Sequence, residues 1–211
     1  MVDFKIKSGE KFLFIGDSIT DCGRRAAFAP LGNGYVFMAV NFATAKYPER
    51  RIQWVNKGIS GDVVQGLVER WAEDVLNEDP DWVSIAIGIN NVARDKQSGR
   101  SLDESLRDFE DSYRIILERT ESELNAKIVM FEIFYIKEED ELARNLNVDV
   151  YNRVIHQLAS EYQAILIPIQ EAFRKAVSKR QDYSWTRGDG VHPLPAGHAL
   201  IALEFLKAME W

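Results

Sequence analysis

The feature that most constrains this chain is an alternation. Short, nearly continuous apolar runs recur at intervals too long for hairpins, and segments of helical periodicity fill the gaps. FLFI at 12–15, IQWVN at 52–56, WVSIAIG at 82–88, KIVMFEI at 127–133 and AILIPI at 164–169 read as five strands. A strand with one wet face would alternate polar and apolar residues. These do not, so both of their faces must be covered. Helices are predicted near 34–47, 62–76, 102–124, 145–162, 170–179 and 195–208. A βαβ series with right-handed crossovers then gives a three-layer α/β/α domain around a five-stranded parallel sheet. No repeat, low-complexity tract or Pro/Gly/Ser-rich linker divides the 211 residues, so a single domain over 1–211 is expected.

Segments 22–35, 91–100 and 180–188 lack periodicity and are predicted to be loops. KEEDELARN at 137–145 reads as solvated surface. With 33 acidic against 26 basic residues the net charge is -7, which repels phosphate backbones and anionic lipid. Neither nucleic acid nor a membrane is an expected partner. No apolar run approaches the ~18 residues of a membrane span, and the N-terminal residues lack the apolar core of a signal peptide. A soluble, cytoplasmic protein is expected. Cys22 is the only cysteine and there is no Cys/His cluster of zinc-ligand spacing, so neither an internal disulfide nor a metal is anticipated. Cys22 reads as a small packed residue.

The polar residues fall in a pattern. Ligands of open parallel sheets bind beyond the carboxyl ends of the strands. Asp17 and Ser18 follow the first strand, Ser60 and Gly61 the second, and Asn90 and Asn91 the third. Asp189 and His192 lie three residues apart in GDGVHPLPAGH, where Pro193 and Pro195 require a loop ahead of the last helix. Each residue alone has an ordinary reading. Ser18 alone is best read as a helix N-cap, Gly61 as a backbone requirement, and Asn90 or Asp189 as a turn former. His156 and His198 lie in helical patterns and read as structural.

Together these residues form what acyl transfer needs. A serine hydroxyl needs a base within hydrogen-bond reach, and that base needs an orienting group. His192 and Asp189 supply both, and activity should rise with pH as the imidazole loses its proton. The oxyanion of a tetrahedral intermediate needs donors already aimed at it. Candidates are the N–H groups of Ser18 and Gly61 and the Asn90 carboxamide.

GDSIT at 16–20, GISGD at 58–62, GINN at 88–91 and DGVH at 189–192 occur in the order of four signature blocks, and on them the chain resembles the SGNH, or GDSL-type, hydrolase family. The resemblance implies a flavodoxin-like sheet and a serine esterase without metal or cofactor. It assigns Ser18 as nucleophile, His192 as base, Asp189 as its support, and Ser18, Gly61 and Asn90 as oxyanion donors. There is no G-x-S-x-G elbow. The third block usually ends in aspartate, and here Asn91 stands there. The longer stretches GEKFLFIGDSITDCGR and VHPLPAGH look most like bacterial acetylxylan esterases and related carbohydrate deacetylases. That likeness implies acetylated xylo-oligosaccharides as substrates and often a homo-oligomer. Phe28, Tyr135 and Trp185 are candidates to face a sugar ring, with Asp17 and Asn91 beside them as substrate contacts. A lysophospholipase or thioesterase would use the same chemistry with an apolar acyl groove, and a non-catalytic sugar- or protein-binding module would lack one of the triad residues. The acidic excess disfavours polyanionic substrates.

Overall fold

The computed structural model describes residues 3–137 and 147–211, so the acidic run lies outside the described residues from 138 onward. Five strands, β1 (Lys11–Gly16), β2 (Gln53–Asn56), β3 (Trp82–Ala86), β4 (Lys127–Phe131) and β5 (Ile165–Ile167), form one sheet. Every pairing is parallel and the order is β2-β1-β3-β4-β5. The helices among the described residues are α1 (Ser18–Asp21), α2 (Tyr35–Lys46), α3 (Val64–Asp74), α4 (Ile89–Ser98), α5 (Leu102–Glu123), α6 (Val148–Glu161), α7 (Ile169–Lys179) and α8 (Pro195–Ala208).

The residues of β1 explain the layers. Phe12 and Phe14 point to one face, where Tyr35 and Ala39 of α2, Phe173 of α7 and Phe205 of α8 bury them. Leu13 and Ile15 point to the other, against Val64 and Trp71 of α3, Tyr113 and Ile116 of α5 and Ile155 of α6. Two apolar cores thus sandwich the sheet, and each fully buried large side chain contributes roughly 1.5–3 kcal/mol. Helix starts follow local chemistry. Ser101 and Glu104 make a capping box at α5, and Pro195 stands at the first position of α8.

The predicted strands and long helices appear with frayed ends, and one segment differs outright. Residues 91–98, predicted as loop, belong to α4. INNVARDKQS buries Ile89, Val92 and Asn91, too few apolar residues to print a stripe. The predicted third strand also stops early. Gly88 has φ +135°, which ends the strand and lets its carbonyl accept from Val92 N–H at 3.1 Å. The chain order reverses between β1 and β3, which puts the ligand crevice at their carboxyl ends.

Candidate active site

β1 delivers the serine. A Cβ on Gly16 would lie 2.2 Å from the Ala86 carbonyl, so glycine lets β1 and β3 close at their ends. Asp17, not Ser18, is the N-cap of α1, its Oδ1 accepting from Ile19 N–H at 3.0 Å. Ser18 stands one position further on, and its hydroxyl is turned to His192 instead of to the helix. Asp17 is 2% exposed. Burial pushes its carboxyl up to about 7, against the pull of the Ile19 hydrogen bond. A cavity of about 30 Å³, lined by Asp17, Ile19, Tyr35 and Phe131 among others, adjoins it. That is room for about one water.

The second block is tied to the first. Asn56, at the end of β2, donates from Nδ2 to the carbonyls of Thr20 and Leu31, both at 2.8 Å, and accepts from Gly58 N–H. A Cβ on Gly58 would meet Asp21 N at 2.3 Å, so the loop after β2 lies directly on α1. Asp21 Oδ2 accepts from both the N–H and the hydroxyl of Ser60. Desolvation opposes ionisation of Asp21, but the Ser60 donors and Arg25 outweigh it and hold its carboxyl below the usual range. Gly61 follows with φ +81°. Its N–H has no acceptor among the described residues, whereas the flanking amides donate to Asp21 and to the Ile59 carbonyl. Asp62 bonds Val63 N–H and Arg70.

α4 supplies the third group. Asn90 Nδ2 donates to Asp62 O at 2.9 Å, which fixes the carboxamide and leaves its second N–H. Asn91 is buried. It accepts from Val64 N–H at 3.1 Å and donates to Gln65 Oε1, so the residue standing in the usual aspartate position satisfies an orphan donor at the start of α3.

The base arrives on the segment before α8. Arg187 N–H bonds the His192 carbonyl and Leu194 N–H the Trp185 carbonyl, both at 2.9 Å, closing a hairpin-like loop. Asp189 Oδ1 accepts from Val191 and His192 N–H, and its Oδ2 lies 2.7 Å from His192 Nδ1. His192 Nε2 lies 3.0 Å from Ser18 Oγ. Burial opposes Asp189 ionisation, yet the two backbone N–H groups and His192 hold its carboxyl below the usual range. Gly190, at φ +78°, rests on the Tyr135 ring, which a Cβ would approach to 2.8 Å.

The structure joins Ser18, His192 and Asp189 in one hydrogen-bonded row, and it ties Asn90 to the loop that carries Gly61. Of the side chains expected to contact substrate, Asp17, Asn91 and Tyr135 are 2%, 4% and 3% exposed and are packed within the fold. Phe28 is exposed and packs beside Gly23, and Trp185 is half-buried in the loop that carries the base. The other histidines lie outside this row. His156 meets Glu132 at 2.7 Å. His198 accepts from Tyr35 N–H and is drawn down to about 4 by burial, with Arg187 and His192 adding to the effect. Burial pushes the Cys22 thiol up to about 11, which keeps it neutral. Sequence reasoning missed Asp21, Asn56, Arg70 and Tyr135's seat under Gly190; Asp21 directly follows GDSIT and Asn56 stands two residues before GISGD. No group of three or more His, Cys, Asp or Glu among the described residues could hold a metal ion. Nor is any described helix long and apolar enough to cross a membrane.

Hydroxyl, imidazole and carboxylate in single file, beside unengaged N–H donors, can activate an alcohol for attack on an acyl carbon. Residues 14–200 match the profile of the GDSL-like lipase/acylhydrolase family. The chain belongs to this family. As a GDSL-type acylhydrolase it is a hydrolase of ester bonds on an α/β fold. It is 41% identical to an acetylxylan esterase of Geobacillus stearothermophilus, the match covering 98% of each chain. The crystal structure of an acetylxylan esterase from that organism superposes with a TM-score of 0.85 at 40% identity, covering 98% of this chain and 97% of the other. Solved structures of that esterase include catalytic mutants in which a serine, a histidine and an aspartate are replaced by alanine. An alpha/beta hydrolase from the metagenome of Lake Arreo, Spain, is 31% identical with a TM-score of 0.85, covering 99% of this chain and 98% of that one.

Proposed function

We propose that this GDSL-type hydrolase is a serine acetylesterase that removes acetyl groups from carbohydrates, with acetylated xylo-oligosaccharides as its substrate class. The observation that carries the reading is the Ser18 Oγ–His192 Nε2 distance of 3.0 Å, continued by 2.7 Å from Nδ1 to Asp189. Ser18 Oγ attacks the acetyl carbonyl carbon as its proton passes to His192 Nε2. Asp189 holds the Nδ1 proton and stabilises the imidazolium. The carbonyl oxygen, now an oxyanion, faces the N–H groups of Ser18 and Gly61 and the remaining N–H of Asn90. Collapse breaks the bond to the sugar oxygen, which leaves with the proton from His192. The acetyl group stays on Ser18. Water then attacks this ester, gives its proton to His192, and acetate departs as Ser18 regains its hydrogen.

The relatives support the substrate class, since the chain aligns over nearly its full length with an acetylxylan esterase. The test is Ser18→Ala on purified protein with acetylated xylo-oligosaccharides and p-nitrophenyl acetate. Hydrolysis should drop to background, and unchanged turnover would remove the mechanism. An acyl series from two to ten carbons should decline steeply with length, whereas a maximum at eight carbons or more would favour a lipolytic role. Asn90→Ala should lower kcat about a hundredfold with little change in KM, because its donor acts on charge that develops in the transition state.

A further inference from the structure

The chain is acidic, yet the segments that carry its site hold arginines with no ion pair beside the carboxylates already described. Most arginines of the described residues are ion-paired, for example Arg50 to Asp3, Arg70 to Asp62 and Asp74, Arg114 to Glu110 and Glu161, and Arg174 to Asp149. Among the described residues Arg94, Arg187 and Arg24 have no carboxylate within 4.0 Å, as is also true of Arg51, Arg107 and Arg153, but only the first three belong to segments that carry the site. Arg94 is four residues after Asn90 and so shares its helix face. Nη2 of Arg94 donates to the Gly61 carbonyl at 2.8 Å, just as Asn90 bonds the carbonyl of Asp62. Its guanidinium therefore rests on the carbonyl of Gly61, whose N–H is a proposed oxyanion donor, and is exposed with one of five N–H groups engaged. Arg187 is exposed on the loop that carries the base, its N–H paired with the His192 carbonyl. Arg24 donates to the Gly58 carbonyl behind α1.

The neighbouring carboxylates are committed to partners of their own and do not pair with these arginines. Asp62 serves Arg70 and Val63, Asp21 serves Ser60 and Arg25, Asp189 serves His192, and Asp17 is buried beneath α1. A planar guanidinium with free parallel N–H groups matches a carboxylate in two-point geometry, and a neutral sugar hydroxyl much less well. Building on the acetylesterase reading, we propose that Arg94, assisted by Arg187, selects acetyl esters whose alcohol portion bears a carboxylate, such as acetylated oligosaccharides substituted with a uronic acid. This reverses at the site what the net charge implies for the molecule as a whole. A single nearby carboxylate meets the local arginines, while an extended polyanion still meets the acidic surface.

The experiment compares two small esters of one shape, 4-acetoxybenzoate and 4-acetoxybenzamide, and then acetylated xylo-oligosaccharides with and without a uronic acid substituent. At low salt the anionic member of each pair should have kcat/KM higher by about tenfold, the effect of one charge-assisted contact near the surface. The ratio should shrink in 0.5 M NaCl, because exposed charges are screened over a few ångströms there. Arg94→Gln should bring the ratio close to one, Arg94→Lys should retain part of it, and Arg187→Gln should lower it less. Equal rates on the two members in the wild-type enzyme would overturn the proposal while leaving the esterase intact. So would an Arg94→Gln loss shared equally by both esters, since Arg94 would then only hold the Gly61 carbonyl. Hydrolysis that survives Ser18→Ala would instead remove the serine esterase reading, and the substrate proposal with it.

Discussion

The nucleophile side of the site and the base side are built in different ways. Ser18 lies on a single helical turn wedged among buried polar groups: Asp17 caps the turn, Thr20 meets the Tyr35 hydroxyl at 3.1 Å, and Asn56 donates to the Thr20 carbonyl. Asp189 and His192 have side chains 44% and 43% exposed, on a loop closed by backbone hydrogen bonds, the Thr186–Pro193 bridge and two N–H groups that Asp189 accepts. Among the described residues no structural bond rests on the His192 side chain other than its contact with Asp189. Removing a buried donor or acceptor costs stability, whereas removing a half-exposed one costs chiefly the chemistry it performs. On the nucleophile side, then, fold and function share the same atoms. On the base side they separate.

His192→Ala should show that separation most strongly. Ester hydrolysis should fall about 10⁴-fold or more while the melting temperature stays near that of the wild type. A large drop in melting temperature would mean that the imidazole also holds the loop. Next comes Asp17→Asn, which keeps the cap and removes the titration. Because the folded pKa is raised above 3.8, the folded state holds its proton where the unfolded chain has lost it, so stability is full below pH 4 and declines as pH rises towards 7. A shift of that size corresponds to about 4 kcal/mol. Urea unfolding at pH 5 and pH 8 should show the decline in the wild type and lose that component in the variant.

Asp21→Ala should cost about 2–3 kcal/mol, since two Ser60 donors lose a buried acceptor. At roughly 2–4 °C per kcal/mol for a chain of this size, calorimetry should register several degrees. Asp21 contributes with the opposite sign to Asp17. Its carboxyl is held low, so its stabilisation is present above pH 4 and is lost as acid protonates it. Gly190→Ala should have the smallest effect, about tenfold in kcat by the strain of a Cβ at φ +78° against Tyr135. Its mark is a fall in rate accompanied only by the few degrees that the backbone strain takes from the melting temperature, and a lower melting temperature with an unchanged rate would erase the contrast between the two sides.

The same contrast explains what was legible in the sequence. Strands buried on both faces print as unbroken apolar runs, so β1 to β5 could be read. The triad could be read because its residue types are few and fall at strand ends. What failed to print was support that depends on distant partners. Nothing in QWVN announces that Asn56 reaches Thr20 and Leu31, and nothing near Tyr135 announces Gly190. α1 is too short for a period, and α4 shows too few apolar residues to one side. Ser18 looked like a cap because a serine before a helical turn usually is one, yet Asp17 takes that role and frees the hydroxyl. Asn91 looked like a weakened motif position, but its amide serves two partners on α3 that only the fold brings near.

Tyr135 under Gly190 acts as a doorstop. The root of the base-bearing loop is stopped against an aromatic face contributed by the segment after β4, while Tyr183 and Arg187 further out face solvent. Residues 180–184, outside the backbone pairing of 185–187 with 192–194, can therefore change in length or charge without moving the imidazole. In evolutionary terms, the loop is a place where a lineage can exchange one ester-bearing molecule for another while retaining the same chemistry.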